Sequence, residues 1–349
     1  MNVPLVIVNY RGLRDTMELI ESLKTAEREL HIIVVDNCSD VEGKEFEGLV
    51  EKLPGILEAH KTEEVLSTLE HVRAVRSYYS SLFESHLSLI SLDKNLGFSG
   101  GTNVGISFAF SVGDPEFIGI INNDTLVTDG FLRSIIAEMK SDQSIGASMG
   151  TILFYPEKDY IWSTGGYISN LTANIVHTQK MKPRREVPNE KLERRFVSGC
   201  FTVFRSSVLK EVDLLDEDYF FSYEEAQYSH DIRKLGYKLL LVPSSLIYHK
   251  SKLDLGNGSS HDIKDLKWVC NAYLSRIVYV NKNFSILHKH FWRLLFRYYL
   301  KRRMPERLRT GHGGADYSDK QLSKLTNFVM SNISAKMTSL ELLDEFEAL

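Results

Sequence analysis

The chain has 349 residues, 43% of them hydrophobic and 25% charged, with a net charge of −4. That length can bury a sizeable core in one large domain or two. The composition is that of an ordinary soluble globular protein, and its charge selects no nucleic-acid partner. Cys38, Cys200 and Cys270 are far apart, odd in number and without a Cys-x-x-Cys pair, which argues against a disulfide framework or a zinc site and fits a reducing compartment. The opening Met1-Asn2-Val3-Pro4-Leu5-Val6-Ile7-Val8 lacks a basic region and reads as a strand rather than a signal peptide. No apolar run approaches a membrane span, so a cytoplasmic location is expected.

Leu5–Asn9 reads as a buried strand. Gly12 breaks the pattern before a helix whose Met17, Leu19, Ile20 and Leu23 share a face. His31-Ile32-Ile33-Val34-Val35-Asp36-Asn37 is a second apolar strand ending in a carboxylate, which completes a βαβ unit. Asp36 could accept the N3–H of a uracil or thymine ring, but Asp and Asn after a strand more often simply begin a turn. Residues 41–88 are charged and helix-prone. Val65, Leu69, Val72, Val75 and Tyr79 lie at helical spacing, which predicts one or two surface helices without chemistry. Leu89–Asp93 is a short strand, and Asn95-Leu96-Gly97-Phe98-Ser99-Gly100-Gly101-Thr102-Asn103 reads as a glycine-rich turn feeding a helix from Val104. Such a turn lets a backbone approach a ligand or simply satisfies positive φ angles. It is neither a dinucleotide fingerprint nor a P-loop.

The most informative stretch is Phe117-Ile118-Gly119-Ile120-Ile121, a strand-length apolar run that stops at Asn122-Asn123-Asp124. Ligands of open α/β sheets sit beyond the carboxyl ends of strands, where these polar residues fall. Phe131–Met139 follows as a helix and Gly146–Phe154 as a strand. Residues 155–195 are irregular, either a substrate-binding loop around Trp162 and Gly165-Gly166 or a solvated insertion. Phe196–Phe204 is a strand with Gly199 where a ligand could approach closely. The acidic, aromatic stretch from Asp216 to Tyr228 enters a helix ending at Gly236 and is a good place for a general base. Spacing alone favours another role, because Ser222-x-x-Glu225 matches a capping box. A strand at Leu239–Val242 and then His249 follow; a single His after a strand is more often structural than a metal ligand.

Together these stretches resemble the family 2 glycosyltransferases, particularly the bacterial rhamnosyltransferase-like branch that builds surface polysaccharides such as O-antigen. The residues carrying the resemblance are Val8-Asn9-Tyr10, Val34-Val35-Asp36-Asn37, Asn95-x-Gly97-Phe98-x-Gly100-Gly101-x-Asn103, Asn122-Asn123-Asp124-Thr125, Ser198-Gly199-Cys200, Asp216 to Gly236, and His249. The resemblance covers roughly residues 3–256 and implies a GT-A fold, a Rossmann-like, mixed and mostly parallel sheet between helices. The catalytic domain would span 1–256 and a helical extension 257–349. The implied activity is inverting transfer of rhamnose or a hexose from a dTDP- or UDP-sugar to a glycan or lipid-linked glycan. By the same resemblance Asp36 reads the base, with Tyr10 near it. Asn95, Gly97, Gly101, Asn103, Asn122 and Asn123 lie by the nucleotide-sugar. Asp124 and His249 hold Mn²⁺ or Mg²⁺ on the diphosphate, Glu225 is the base with Glu224 beside it, and Trp162 and Gly199 face the acceptor.

Two residues depart from the family pattern. Asn122 leaves only one charged ligand in its D-x-D variant, and Gln227 stands where many relatives carry an Asp. A catalytically silent nucleotide- or glycan-binding subunit is therefore an alternative. A sugar nucleotidyltransferase is a weaker one, because Asn9-Tyr10-Arg11-Gly12 lacks the glycine-rich phosphate loop it would need.

Between Asp262 and Thr310, twelve Lys or Arg face three Asp or Glu, a net of +9, with aromatic residues interleaved. Such a segment suits contact with an anionic membrane surface, on the inner face of the plasma membrane, or a helix packed on the catalytic domain. Asp319–Leu349 reads as helical and suits docking or formation of a homo-oligomer.

Overall fold

The computed structural model describes residues 3–26, 29–39, 57–61, 69–80, 85–251, 266–310 and 317–348. In chain order the strands are β1 (Val3–Asn9), β2 (Leu30–Asp36), β3 (Leu57–Lys61), β4 (Val72–Ser80), β5 (Ser85–Leu92), β6 (Phe117–Ile121) and β7 (Thr125–Val127). There follow β8 (Ile145–Phe154), β9 (Ile161–Ser163), β10 (Gly166–Ile168), β11 (Ile175–His177), β12 (Leu192–Arg194), β13 (Phe201–Arg205) and β14 (Lys238–His249). The helices are α1 (Leu13–Ala26), α2 (Gly97–Val112), α3 (Phe131–Ser141), α4 (Ser206–Glu211) and α5 (Glu224–Lys234). The C-terminal set is α6 (Leu266–Asn283), α7 (Ile286–Arg302), α8 (Met304–Thr310), α9 (Asp319–Ser331) and α10 (Ser339–Ala348).

One large mixed sheet runs β12-β14-β8-β13-β6-β1-β2-β5-β4-β3, with β7 added to β14 and β9 to β8. Its centre, β6-β1-β2-β5, is parallel. These strands read as continuous apolar runs because helices cover both faces, and Leu5, Ile7, Ile33, Val34 and Ile90 are fully buried. Parallel register then aligns the strand ends: Asn9 sits opposite Asp36, and β6 stops beside them at Ile121. β13 lies antiparallel between β6 and β8 and brings the Ser198–Cys200 turn to the same rim. The mixed α/β sheet between helices and the helical C-terminal region agree with the expected architecture.

Several local expectations are corrected. Val72–Ser80 is not helical; it is a strand pairing with β5, and Leu57–Lys61 pairs with it in turn. Hydrogen bonding to an open sheet edge outweighs a chance helical spacing. Residues 41–56, 62–68 and 81–84 of the predicted 41–88 helices lie outside the described residues. The glycine-rich segment is the first turn of α2 itself, which starts at Gly97. Residues 155–195 are built into short strands rather than left irregular. Ser222 does not cap α5: the N-cap is Tyr223, which makes no side-chain capping bond.

A second core joins the C-terminal helices to the sheet domain. Tyr219, Tyr223 and Ala226 pack with Val269, Leu274, Ile277, Trp292, Phe296 and Leu325. Much of the aromatic content read as surface is therefore interior. Tyr273, Tyr279, Trp292 and Phe296 are buried, whereas Leu287, Phe291, Leu294 and Tyr298 on α7 are exposed.

Candidate active site

The rim is first a polar lattice. Asn9 Nδ2 donates to Asp36 Oδ1 at 2.7 Å, and the Ser39 hydroxyl donates to the same oxygen. Ser39 N–H donates to Asp36 Oδ2 at 3.2 Å. An ionised carboxylate has about four lone-pair sites, so Asp36 keeps one for a ligand N–H. Asn123 Nδ2 reaches Thr16 Oγ1 at 3.2 Å and the Gly12 carbonyl at 3.3 Å, tying the end of β6 to the start of α1. Tyr10 is 40% exposed beside this lattice, with the Arg11 guanidinium 5.1 Å from its ring centroid. Asn37 had no role assigned from sequence, yet it clasps α2: its Nδ2 donates to the Gly97 carbonyl at 2.7 Å and its Oδ1 accepts from Leu96 N–H at 2.8 Å.

The residues at the start of α2 are occupied by the protein itself. Asn95 Oδ1 accepts from Gly97 N–H at 2.9 Å. Gly97 has φ +74°, and a Cβ there would lie 2.3 Å from the Phe220 carbonyl oxygen. Gly101 packs on Val8 and Asn37. Asn103 donates to the Leu215 carbonyl and to Glu217, each at 2.8 Å, and accepts from Leu215 N–H. The close approach these glycines permit is thus to the 213–223 segment and to β1, which fixes that segment against the rim.

Asp124 and His249 meet because β7 pairs with β14 in the register Thr125 opposite His249. His249 Nε2 lies 3.1 Å from Asp124 Oδ2; the imidazole is buried and the carboxylate side chain is 37% exposed. His249 Nδ1 is buried without a hydrogen-bond partner among the described residues. Trp162 stands edge-on to His249 at 4.6 Å and is itself buried, so it buttresses the imidazole. Asn122 N–H donates to the Cys200 carbonyl at 2.9 Å. The described residues hold no group of three or more His, Cys, Asp or Glu side chains placed to bind one metal ion. Asp124 and His249 therefore fit a divalent ion only as two protein ligands, the rest coming from diphosphate oxygens and water, which is how Mg²⁺ is often bound.

Glu224 and Glu225 open α5 on the other side of the Ser198–Cys200 turn. A Cβ at Gly199 would lie 3.5 Å from Glu225 Cβ and 3.8 Å from Glu224 Oε1. Both carboxyls leave a buried Oε2 without a hydrogen-bond partner among the described residues. Burial raises the pKa of both, and the Glu225 charge then pushes Glu224 further up, so Glu224 keeps its proton in preference to Glu225. The two residues before them, Ser222 (φ 69°) and Tyr223 (φ 74°), are both left-handed, a conformation costly for non-glycine residues and concentrated at functional sites. Gln227, by contrast, is consumed by structure. Its Oε1 accepts from Tyr219 Oη at 2.8 Å and Asn283 Nδ2 at 2.7 Å, and its Nε2 donates to Asp231.

Residues 67–213 match the family model described as Glycosyl transferase family 2. The match spans less than half of the chain; it includes Asn95–Asn103, Asn122–Asp124 and Ser198–Cys200 but not Asp36, Glu224–Glu225 or His249. No curated protein matches this sequence. Among solved structures, GalNAc-T7 with UDP, GalNAc and Mn²⁺ is similar over 99% of this chain and 58% of that one, at 13% identity and a TM-score of 0.57. S. aureus TarS (residues 1–349) is similar over 100% of this chain and 87% of that one, at 12% identity and a TM-score of 0.48. The mannosyltransferase PcManGT from Pyrobaculum calidifontis, with GDP-Man and Mn²⁺, is similar over 99% and 73%, at 11% identity and 0.47. The fold is that of GT-A glycosyltransferases. The chain spans 58% of the length of GalNAc-T7.

Sequence reading missed Lys180 and His177. His177 packs at a tilt against Trp162 with ring centroids 4.9 Å apart, and burial holds its pKa down to about 3. The Lys180 ammonium lies 5.5 Å over the same ring, a half-buried cation one side chain away from His249. No spacing rule marks either residue, because a short β-ribbon brings them in.

Proposed function

We propose that this protein is an inverting glycosyltransferase that moves rhamnose or a hexose from a dTDP- or UDP-sugar onto a glycan or lipid-linked glycan, in bacterial surface polysaccharide synthesis. The observation that carries the reading is the meeting of two unlike acidic sites around Gly199–Cys200: Asp124 with His249 on one side, and the buried Glu224–Glu225 pair on the other. Asp124 and His249 would hold a divalent cation, which when bound offsets the charge growing on the departing diphosphate. Glu225, the more readily ionised of the pair, takes the proton of an acceptor hydroxyl as its oxygen attacks the anomeric carbon and the bond to the diphosphate oxygen breaks. Attack opposite the leaving group inverts the configuration. Asp36 would accept from the base N–H beside Tyr10. A structure of GalNAc-T7 carries UDP and Mn²⁺, in line with this assignment. The rhamnose donor rests on the sequence resemblance.

The acceptor side of the reading extends to α7. This helix has Lys289, Arg293, Arg297, Lys301 and Arg302 and no acidic residue. Leu287, Phe291, Leu294 and Tyr298, spaced to share one face, are 83%, 52%, 66% and 65% exposed. An apolar face bordered by cations is suited to lie on an anionic bilayer, where a lipid-linked acceptor would be found. No described helix is long and apolar enough to cross a membrane.

The test is a panel of dTDP- and UDP-sugars read for Mn²⁺-dependent thermal stabilisation and release of nucleoside diphosphate. One donor that does both, with release lost in a folded Asp124→Ala variant, is the expected result. Stabilisation without release under any acceptor would instead identify a silent nucleotide-binding subunit, and no stabilisation by any donor would remove the nucleotide site.

A further inference from the structure

Away from the rim, α5, the α6–α7 turn and β10 line a half-open cavity of about 370 Å³. Arg195, His230, Arg233, Asn283, Ser285 and His288 line it, and none of the residues assigned to the donor site does. Neither the Arg195 nor the Arg233 guanidinium has a hydrogen bond or an ion pair among the described residues. The 17-residue α7 begins at this cavity, with Ser285 as its N-cap and no acid in its first turn. The helix dipole therefore adds positive potential to that of the two arginines. His288 is fixed, its Nε2 bonded to the Asn170 carbonyl at 2.5 Å and its ring stacked on Phe284. The acidic group facing this region is Asp231, and both of its oxygens already accept from Gln227 Nε2, at 3.0 and 2.9 Å. Burial holds His230 below its ordinary pKa; Asp231 raises it, and Lys234 and Arg233 lower it.

We propose that this cavity binds a phosphate or diphosphate group, with Arg195 and Arg233 as its charge partners and the start of α7 beneath it. Two guanidiniums without a side-chain partner among the described residues, beside a half-open, partly polar space, match the charge and fork geometry of phosphate oxygens. Ala226, the residue after Glu225, also lines the cavity. At 1.5 Å per residue, Arg233 lies only about 12 Å along α5 from Glu225. A phosphate carried by the acceptor would thus be held one helix-length from the base, a link that rests on the glycosyltransferase reading. Binding of the anion itself does not.

The experiment is a titration of the full-length protein, labelled with ¹⁵N-histidine, with inorganic pyrophosphate. The imidazole resonances of His230 and His288 are assigned from His230→Gln and His288→Gln. A saturable His230 shift is expected, with its titration midpoint raised by the bound anion. It should be about tenfold to a hundredfold weaker in Arg195→Ala/Arg233→Ala, the usual scale for losing charge-assisted hydrogen bonds. Arg195→Gln alone, at an exposed position, covers the case in which the double variant does not fold. No saturable shift at millimolar pyrophosphate, or one undiminished in the arginine variants, would overturn the site. So would a shift lost in folded Asp124→Ala, which would place the anion in the donor cleft. A short-chain prenyl-diphosphate-linked sugar that displaces pyrophosphate from His230 assigns the cavity to an acceptor; phosphate binding without such competition assigns it to a free anion. Because the readout is not turnover, the site stands or falls independently of donor chemistry.

Discussion

Glu225→Gln and Glu224→Gln should separate two adjacent carboxylates that no spacing rule can rank. Both are buried and both have raised pKa values, but Glu224 is raised further, first by burial and then by the neighbouring charge. Glu224 is the member that holds its proton more tightly, and hydrogen bonding from it lowers the pKa of Glu225. A glutamine at 224 preserves both the volume and a donor, so Glu225 remains an ionised base. A glutamine at 225 cannot accept the acceptor's proton. Loss of a positioned general base costs about 100- to 10,000-fold in rate, or roughly 3–5.5 kcal/mol in the barrier. The assay is release of nucleoside diphosphate with a stabilising donor and a matching acceptor, together with the pH dependence of kcat/KM. We expect Glu225→Gln to fall in that range and Glu224→Gln to stay within a few-fold of wild type. The acid limb of the wild-type profile should lie above the ordinary carboxylate value of 4.5, and Glu224→Leu, which removes the donor, should move it higher. A folded Glu225→Gln within tenfold of wild type, or equal losses in the two glutamine variants, would refute the assignment.

Three further outcomes test the surroundings. Gly97→Ala places a methyl group at φ +74° and 2.3 Å from the Phe220 carbonyl oxygen, and should destabilise by at least about 2 kcal/mol in urea melts. Glu224 has a folded pKa above its unfolded one, so its contribution to stability is full below pH 4.5 and is lost as pH rises through the folded value. Glu224→Gln should therefore be more stable than wild type at pH 8, with the gap closing toward pH 5; a gap independent of pH in denaturant melts would contradict this. Tyr223→Phe removes a hydroxyl that donates to the Ala173 carbonyl at 2.7 Å and accepts from Arg276 Nε at 2.8 Å. It should cost about 1–3 kcal/mol of stability and lower kcat while leaving thermal stabilisation by the donor unchanged.

The central strands were legible because strands buried on both faces write continuous apolar runs, and their polar ends mark the rim without any structure. Asn122–Asp124 and His249 could be found that way. The 72–80 segment could not, since its strand character comes from pairing with β5 rather than from its own periodicity. The capping motif at Ser222 and Glu225 misled for a related reason: tertiary contacts hold residues 222 and 223 left-handed, a geometry that a capping box excludes. Gln227 looked like a weakened catalytic position and is instead a joint to three residues, Tyr219, Asp231 and Asn283, that ties α5 to α6. Lys180, His177 and Asn37 carry no local signal, because their neighbours come from distant segments.

The C-terminal helices are what make the 216–223 segment tenable. Two consecutive left-handed residues cost on the order of 1–3 kcal/mol each and persist only where the surroundings over-determine them. Here Asn271 Nδ2 and Ser275 Oγ donate to the Phe221 carbonyl, and Ser339 Oγ accepts from Phe220 N–H at 2.7 Å. Lys282 pairs with Asp216 and Asp218. From the sheet side, the Phe220 carbonyl accepts from Phe98 N–H at 2.7 Å and fills the space left by the missing side chain of Gly97. The 216–223 segment is thus clamped between α2, whose start is clasped by Asn37 at the rim, and α6 and α10 on the other side. A helical extension that read as an accessory in the sequence is, in the fold, one of the two jaws that set where Glu224 and Glu225 point.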